Sequence, residues 1–511
     1  MSNAKTLSMN SWLVAIVGFG LVHLAPILTS SSLAADRAPS SSYLGEIRRN
    51  DSGQIIAVPQ APTAAAEATS KPSSPPASPS PPPPAQPAAR IPAAIASKAA
   101  PAREAKPAAG AMLSPAASAS PKVIRVGPNQ SVRYISVAAS LAKDGDTIEI
   151  EPGDYMADVA VWKQSGLTIR GVGGARPRLI AAGANAEGKA IWVMRGGAIT
   201  VENIEFSGAR VPDKNGAGIR HEKGHLIVRN CRFIDNENGI LTGAGDAELD
   251  IENSEFGNNG AGDGRSHNIY VGALRRLRVT GSYFHHAIVG HLLKSRAAEN
   301  HILYNRLTDE TGGRASYELE FPNGGIALVI GNIIEQSSQT ENSGIIAYGK
   351  EGYKWPRNEL YLINNTIAND RPQGGSFLAV APGAQTVKGF NNLLVGSGSL
   401  DGSAGTSLIS QAKSELKSAL KGALDIQDSR PGTVAGEFQN NLNVDLDVFA
   451  QAVRFDYRLM PGTRLANKYV APGMAGQFNL APQREYQHPA SSRALAGPPT
   501  LPGALQTLAK P

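Results

Sequence analysis

The sequence predicts an all-β chain wound as a solenoid of stacked coils, opened by one short helix. Three observations predict it. A short phrase recurs eight times: VENIEF at Val201, VRNCRF at Val228, IENSEF at Ile251, VTGSYF at Val279, LYNRLT at Leu303, IGNIIE at Ile330, INNTIA at Ile363 and FNNLLV at Phe390. Its markers are Asn203, Asn230, Asn253, Gly281, Asn305, Asn332, Asn365 and Asn392, a spacing that stays mostly in the twenties. Such a period, with alternating apolar residues in each copy, is the signature of coil-by-coil stacking. A second alternating segment follows most markers before the next marker begins, so each coil holds more than one strand. The chain has a single cysteine, Cys231, so no internal disulfide exists and packing and backbone hydrogen bonds must hold the coils together.

Taken in order, residues 1–35 have the layout of a secretory signal. Lys5 precedes an apolar run over 12–28, and small residues around Ala34 and Ala35 offer a cleavage site. The alternative is an uncleaved membrane anchor, for which that run, short and interrupted by Gly18, Gly20 and Pro26, is marginal. Residues 36–122 are expected to be a disordered linker. Between 57 and 121, Pro and Ala make up well over half of the chain, leaving too little apolar surface to offset the entropy of ordering. Residues 123–486 form the solenoid, and 487–511 read as a loose tail. Within the solenoid, apolar residues at 135, 138, 139 and 142 fall at helical spacing, a short helix that would cap the open end of the first coil. The segment 401–425 reads as a helical excursion.

The marker residues are expected to occupy one turn per coil, where their amides hydrogen-bond from coil to coil. The second strand set reads GIRH, GILT, HNIYV, HLLKS, YELEF, GIIAY and FLAVA from Gly218 onward. Strand side chains alternate faces, so with Ile240, Ile269, Leu293 and Leu319 inward, an outward column runs Arg220, Leu241, Tyr270, Lys294, Glu320. Its members stand about 4.8 Å apart, and Arg296 lies two residues past Lys294 on the same face. This column crosses a basic block. Residues 265–314 carry eight Arg or Lys against three acids, and five of the nine histidines. Such a block suits an anionic partner, and for an exported protein acidic polysaccharide rather than nucleic acid.

The phrases GDTIEIEPGDY (145–155), LTIRGVGGARPRLI (167–180) and FDYRLMPGT (455–463) resemble the start, first coils and last coil of secreted right-handed parallel β-helix proteins. That pectate-lyase-like superfamily includes polysaccharide lyases and C5-epimerases. The resemblance implies a right-handed parallel β-helix, and a lyase in preference to a non-catalytic polysaccharide-binding scaffold, with a C5-epimerase, which shares the proton-abstraction step, as a further alternative. The residues alone leave both open. The protein is then expected in the periplasm or outside a bacterial cell, as a monomer, with no membrane contact beyond the signal segment.

Cutting a uronic-acid polymer by β-elimination requires a group that neutralises the carboxylate, a base for the C5 proton and an acid for the departing oxygen. Arg296 is the candidate clamp, Lys294 the base with its pKa lowered by that cation, and Tyr270 the acid. His267 and His291 are candidates to share the proton work, or else to stack at a coil corner. Arg220, Arg265, Arg314, Tyr317, Asn323 and Tyr348 are candidate substrate contacts, with Glu318 and Glu320. These two acids at i and i+2 also admit inverting hydrolysis, since one face of a strand sets them about 6.5–7 Å apart. An ion pair of Glu320 with Lys294 competes with every such role. No cofactor is required, although the two acids leave Ca²⁺ possible as a carboxylate neutraliser.

Overall fold

The computed structural model describes residues 120–400 and 436–510, together with strands Ile47–Arg49 and Ile55–Ala57, which pair antiparallel in an N-terminal unit of their own. The signal segment, nearly all of the linker and the excursion at 401–425 lie outside the described residues. Among the described residues no helix is long and apolar enough to cross a membrane.

The second unit is the expected solenoid. Three parallel sheets of twelve, eleven and ten strands run its length, and successive strands of the chain visit the three sheets in turn. The registers are nearly unbroken. In the twelve-stranded sheet Val201 pairs with Val228, Val228 with Ile251 and Ile251 with Val279, all buried, while Glu202, Arg229 and Glu252 line up outward as ion pairs. The eleven-stranded sheet stacks Phe206, Phe233, Phe256 and Phe284 in the interior, with ring centroids 4.7–5.0 Å apart. One aromatic at the same register in each of these four coils fills the same width in each layer, and Leu179 and Leu307 continue the column on either side.

The helix Ile135–Leu141 caps the N-terminal end, burying Ile135, Ala138 and Ala139 as its spacing predicts. Tyr134 offers it no side-chain cap. Asp158 does so from the first coil, accepting from the Ile135 and Ser136 amides at 2.5 and 2.9 Å.

The turn asparagines correct the sequence reading by one residue. Each turn contains a left-handed residue followed by a ladder residue. Asn203, Asn230, Asn253 and Gly281 are left-handed, joined by Tyr304, Gly331, Asn364 and Asn391. Asn305, Asn332, Asn365 and Asn392 are the ladder, whose Nδ2 groups donate to the next Oδ1 at 2.7–3.0 Å and end on Asn441. The earlier coils fill the ladder position with Cys231, Ser254 and Ser282. The marker phrase therefore mixed two adjacent columns.

The expected loose tail is also corrected. Residues 484–494 form a hairpin, and the chain beyond it lies against the last coils. Leu501 and Ala504 are buried, the Gly503 amide donates to the Asn391 carbonyl at 2.7 Å, and Asn364 Nδ2 donates to the Leu501 carbonyl at 3.0 Å.

Candidate functional site

Two of the three outer walls leave little charge free. The twelve-stranded sheet carries ladders of opposite charge, such as Arg125 and Arg170 on Glu149, or Arg275 and Arg276 on Glu248. Its C-terminal part is covered by Ala475, Phe478 and Leu480, and the C-terminal part of the eleven-stranded sheet by Phe449, Tyr457, Leu465, Tyr486 and Leu501. The basic block of the sequence is thus divided among walls. His301, Arg276 and Arg278 face one side and Arg306 with His285 another, while Tyr270, Lys294 and Arg296 meet on the ten-stranded sheet, with Arg265 beside them.

On that third wall the predicted column forms in register: Arg220 pairs with Leu241, Leu241 with Tyr270, Tyr270 with Lys294 and Lys294 with Glu320. Lys294 Nζ lies 2.8 Å from Glu320 Oε2. Arg296 Nε donates to Tyr270 Oη at 2.8 Å, with the guanidinium 5.7 Å from the ring centroid. A groove of about 480 Å³ crosses four successive coils beside them, lined by Arg220, Leu241, Arg265, Tyr270, Gly272 and Arg296. Arg220 Nε is buried there without a hydrogen-bond partner.

Sequence reasoning missed the group that completes the site. Glu351, from the turn at 349–352, reaches back over the strand ends. Its Oε1 is 3.0 Å from Lys294 Nζ and its Oε2 2.7 Å from Arg296 Nη2. The neighbouring run GYKWP reads as a loop bordering this sheet, and the acid immediately before it was the available signal.

Several predicted roles are corrected. Burial works to lower the Lys294 ammonium, but the Glu320 carboxylate, and after it Glu351, outweigh burial and hold it above the usual lysine value. Lys294 is an ion-paired cation, not a base depressed by Arg296. His267 and His291 stack at a coil corner, ring centroids 4.5 Å apart, with His267 Nδ1 accepting from the His291 amide at 2.9 Å. Burial lowers both imidazoles; at His267 the His291 ring and then Lys294 add to it, and at His291 burial outweighs the opposing pull of Glu320. Both rings are shut from solvent, though His291 Nε2 still touches Glu320 Oε2 at 3.0 Å.

Asn323 is buried, and its side chain is engaged within the protein. Its Oδ1 accepts from Arg296 Nη1 at 2.6 Å and its Nδ2 donates to the Gly352 carbonyl at 3.1 Å, so it ties the arginine to the turn. Tyr348 pairs with Phe321 on the inward parity and is fully buried, its hydroxyl donating to the Gly325 carbonyl at 2.5 Å. Glu318 is fully buried before the strand begins at Leu319, with no partner for either oxygen. It shares no open face with Glu320, so the paired-acid hydrolase geometry is absent. Arg314 is exposed on the loop leading to the ten-stranded sheet, and Tyr317 packs edge-on against His291.

The site does not suit Ca²⁺. Glu320 is engaged by Lys294 and His291, Glu318 is sealed away, and among the described residues no group of three acids or histidines is placed to hold a metal. A second cavity of about 400 Å³ lies beneath the C-terminal hairpin. Within its lining Arg458 pairs with Asp456 and Arg493 with Glu485, Arg306 pairs with Glu310 outside it, and Arg454 lines it as well.

No curated protein matches the chain. Among solved structures, the crystal structure of pectate lyase Pel9A is similar at 12% identity and a TM-score of 0.43, covering 75% of this chain and 96% of that one. The pectin methylesterase from Aspergillus niger in deglycosylated form is similar at 11% identity and a TM-score of 0.30, covering 51% of this chain and 91% of that one. Residues 164–307 match the family model described as right handed beta helix region, and with three parallel sheets stacked coil on coil, the chain folds as a right-handed parallel β-helix.

Proposed function

We propose that the ten-stranded wall binds an acidic, uronate-containing polysaccharide outside the cytoplasm, with Lys294 and Arg296 as the seat for a sugar carboxylate. One observation carries this reading. The two cations, on one strand and its end, converge on a single carboxylate group, that of Glu351, one cation to each oxygen. A uronate carboxylate has the same shape and charge. Arg220 and Arg265, farther along the groove, offer the next anion contacts of a chain laid across the coils.

A second reading, β-elimination, is favoured by Tyr270. Its oxygen accepts from Arg296, so its own proton is left to donate to a departing glycosidic oxygen beside the seat. Arg296 and Lys294 would then neutralise the carboxylate. The C5 proton needs a separate acceptor, and Lys294 serves only after losing its own proton against the pull of Glu320. A lysine base of this kind gives a rate that climbs with pH and does not level off below 10.5, the ordinary lysine value.

The full chain, run in affinity gels containing polygalacturonate, alginate or a neutral glucan, is expected to be retarded by at least one polyuronate and not by the glucan. Arg296→Gln should weaken that binding about tenfold or more, the worth of a charge-assisted contact. Release of unsaturated uronate, followed by ultraviolet absorbance, separates lyase from binding alone. Equal retardation of wild type and Arg296→Gln would remove the seat from the function.

A further inference from the structure

We infer that Glu351 is a resident plug, a carboxylate of the protein itself that occupies the anion seat and makes it refuse small anions. The inference rests on the reading of Lys294 and Arg296 as a carboxylate seat. Three features separate a plug from an ordinary surface ion pair.

The first is position. The Lys294 and Arg296 side chains are 12% and 21% exposed, whereas that of Glu351 is 44% exposed, so the acid covers the cations from the solvent side. The second is that the turn does not depend on the contact. The Gly349 amide donates to the Phe321 carbonyl at 2.8 Å, the Glu351 amide to Pro322 at 2.9 Å and the Lys354 amide to Asn323 at 3.1 Å. Tyr353 Oη donates to the Ala381 carbonyl at 2.6 Å, and Trp355 Nε1 to the Arg296 carbonyl at 3.1 Å. Rotation of the Glu351 side chain opens the seat while the backbone stays in place.

The third feature is chemical. An incoming carboxylate replaces one of equal charge, so the cations gain nothing from the exchange. Burial raises the Glu351 carboxyl, but Lys294 and Arg296 outweigh it and hold the group below the usual range, so it remains an anion at neutral pH. A seat free for about a tenth of the time weakens every incoming anion about tenfold. A free uronic acid has no other contacts to offset that loss. A polymer has them in the groove with Arg220 and Arg265, so a chain can still bind at concentrations where the plug keeps a monomer out.

The test titrates the full chain with sodium acetate, with D-galacturonate and with oligogalacturonate, following Trp355 emission. Trp162 and Trp192 are buried in the core, and their emission, with that of Trp12, is subtracted through a Trp355→Phe control. Glu351→Gln is expected to bind acetate about tenfold more tightly than wild type, with D-galacturonate following and the oligomer gaining too. Arg296→Gln added to Glu351→Gln should abolish the gain. Tighter acetate binding with no gain for either uronate keeps the plug and removes the polyuronate reading. Acetate affinity equal in wild type, Glu351→Gln and Glu351→Ala, with folding intact by circular dichroism, overturns the plug.

Discussion

Glu318 and Glu320 stand two residues apart and meet opposite electrostatics. Burial raises the Glu320 carboxyl, but His291 and then Lys294 outweigh it, and the group ends below the usual range. Burial raises Glu318 far above that range, and the nearby acids Asp309 and Glu335 push the same way. Asp309 is itself pushed up to about 7, chiefly by burial. The i, i+2 rule failed here because it holds only inside a strand. Glu318 precedes the strand, at a corner where the backbone has not yet begun to alternate. A carboxyl whose folded value lies above its unfolded one stabilises the fold at low pH and withdraws that stability as pH rises through the folded value. For Asp309 the window runs from 3.8 to about 7. Glu318→Gln removes one of the mutually repelling acids, so at pH 8 the variant should be more stable than wild type by about 1–3 kcal/mol. At pH 4 the two should melt together. Calorimetry at both pH values checks this, and an equal shift at each would show that burial of the anion is not the cause.

Within a coil, the turn is the element that sets the register. A left-handed residue bends the chain, and the next residue satisfies backbone groups that the sheets leave unpaired. The sequence shows this pair openly only where both positions are asparagine, as in INN at Ile363 and FNN at Phe390. Elsewhere Asn-Ser, Gly-Ser or Tyr-Asn does the same work, so a search for one marker slides between columns. The outward column was legible because alternation within the ten-stranded sheet is strict from Arg220 to Glu320. Tyr348 shows the same rule left unapplied, since it shares the parity of Phe321. Asn332 makes a test of the ladder. Its Oδ1 accepts from the Asn305 amide at 2.9 Å, and its Nδ2 donates to the Ile302 carbonyl at 2.8 Å and to Asn365 at 3.0 Å. Asn332→Ala should cost about 2–4 kcal/mol, since each buried polar group left unpaired costs about 1–3. Asn332→Ser should recover part of that loss, because Ser254 and Ser282 hold the same place in earlier coils. Denaturant midpoints of the three proteins decide it, and Ser and Ala behaving alike would argue for volume over hydrogen bonding.

Across the whole solenoid, the strands of each coil pair only with those of its neighbours, so stability is built locally and the ends carry the exposure. The N-terminal cap could be read from helical spacing over 135–142. The C-terminal cap could not, because Ala- and Pro-rich sequence carries no periodic pattern, and this segment is held mainly by backbone groups. Leu501 and Gly503 carbonyls accept from Asn364, the Gly503 amide reaches Asn391, and the Ala504 amide reaches Thr366 Oγ1 at 3.1 Å. Its partners are the turn residues of the last coils, whose orientation no single-strand pattern reveals. Gly503 also lies so close that a Cβ there would stand 2.6 Å from Leu393 Cδ1. Deleting residues 489–510 should therefore uncover Leu393 and Val395 and leave the Asn364 side-chain amide and the Asn391 carbonyl to water. Hydrogen exchange is expected to speed up in strands Glu359–Ile363, Thr366–Asn369 and Leu393–Gly396, while strands Ala198–Glu202 and Arg232–Ile234 keep their protection. Loss of protection throughout the chain would mean that the solenoid unfolds as one cooperative block. Unchanged exchange in the last coils would return the segment to the loose tail its composition suggests.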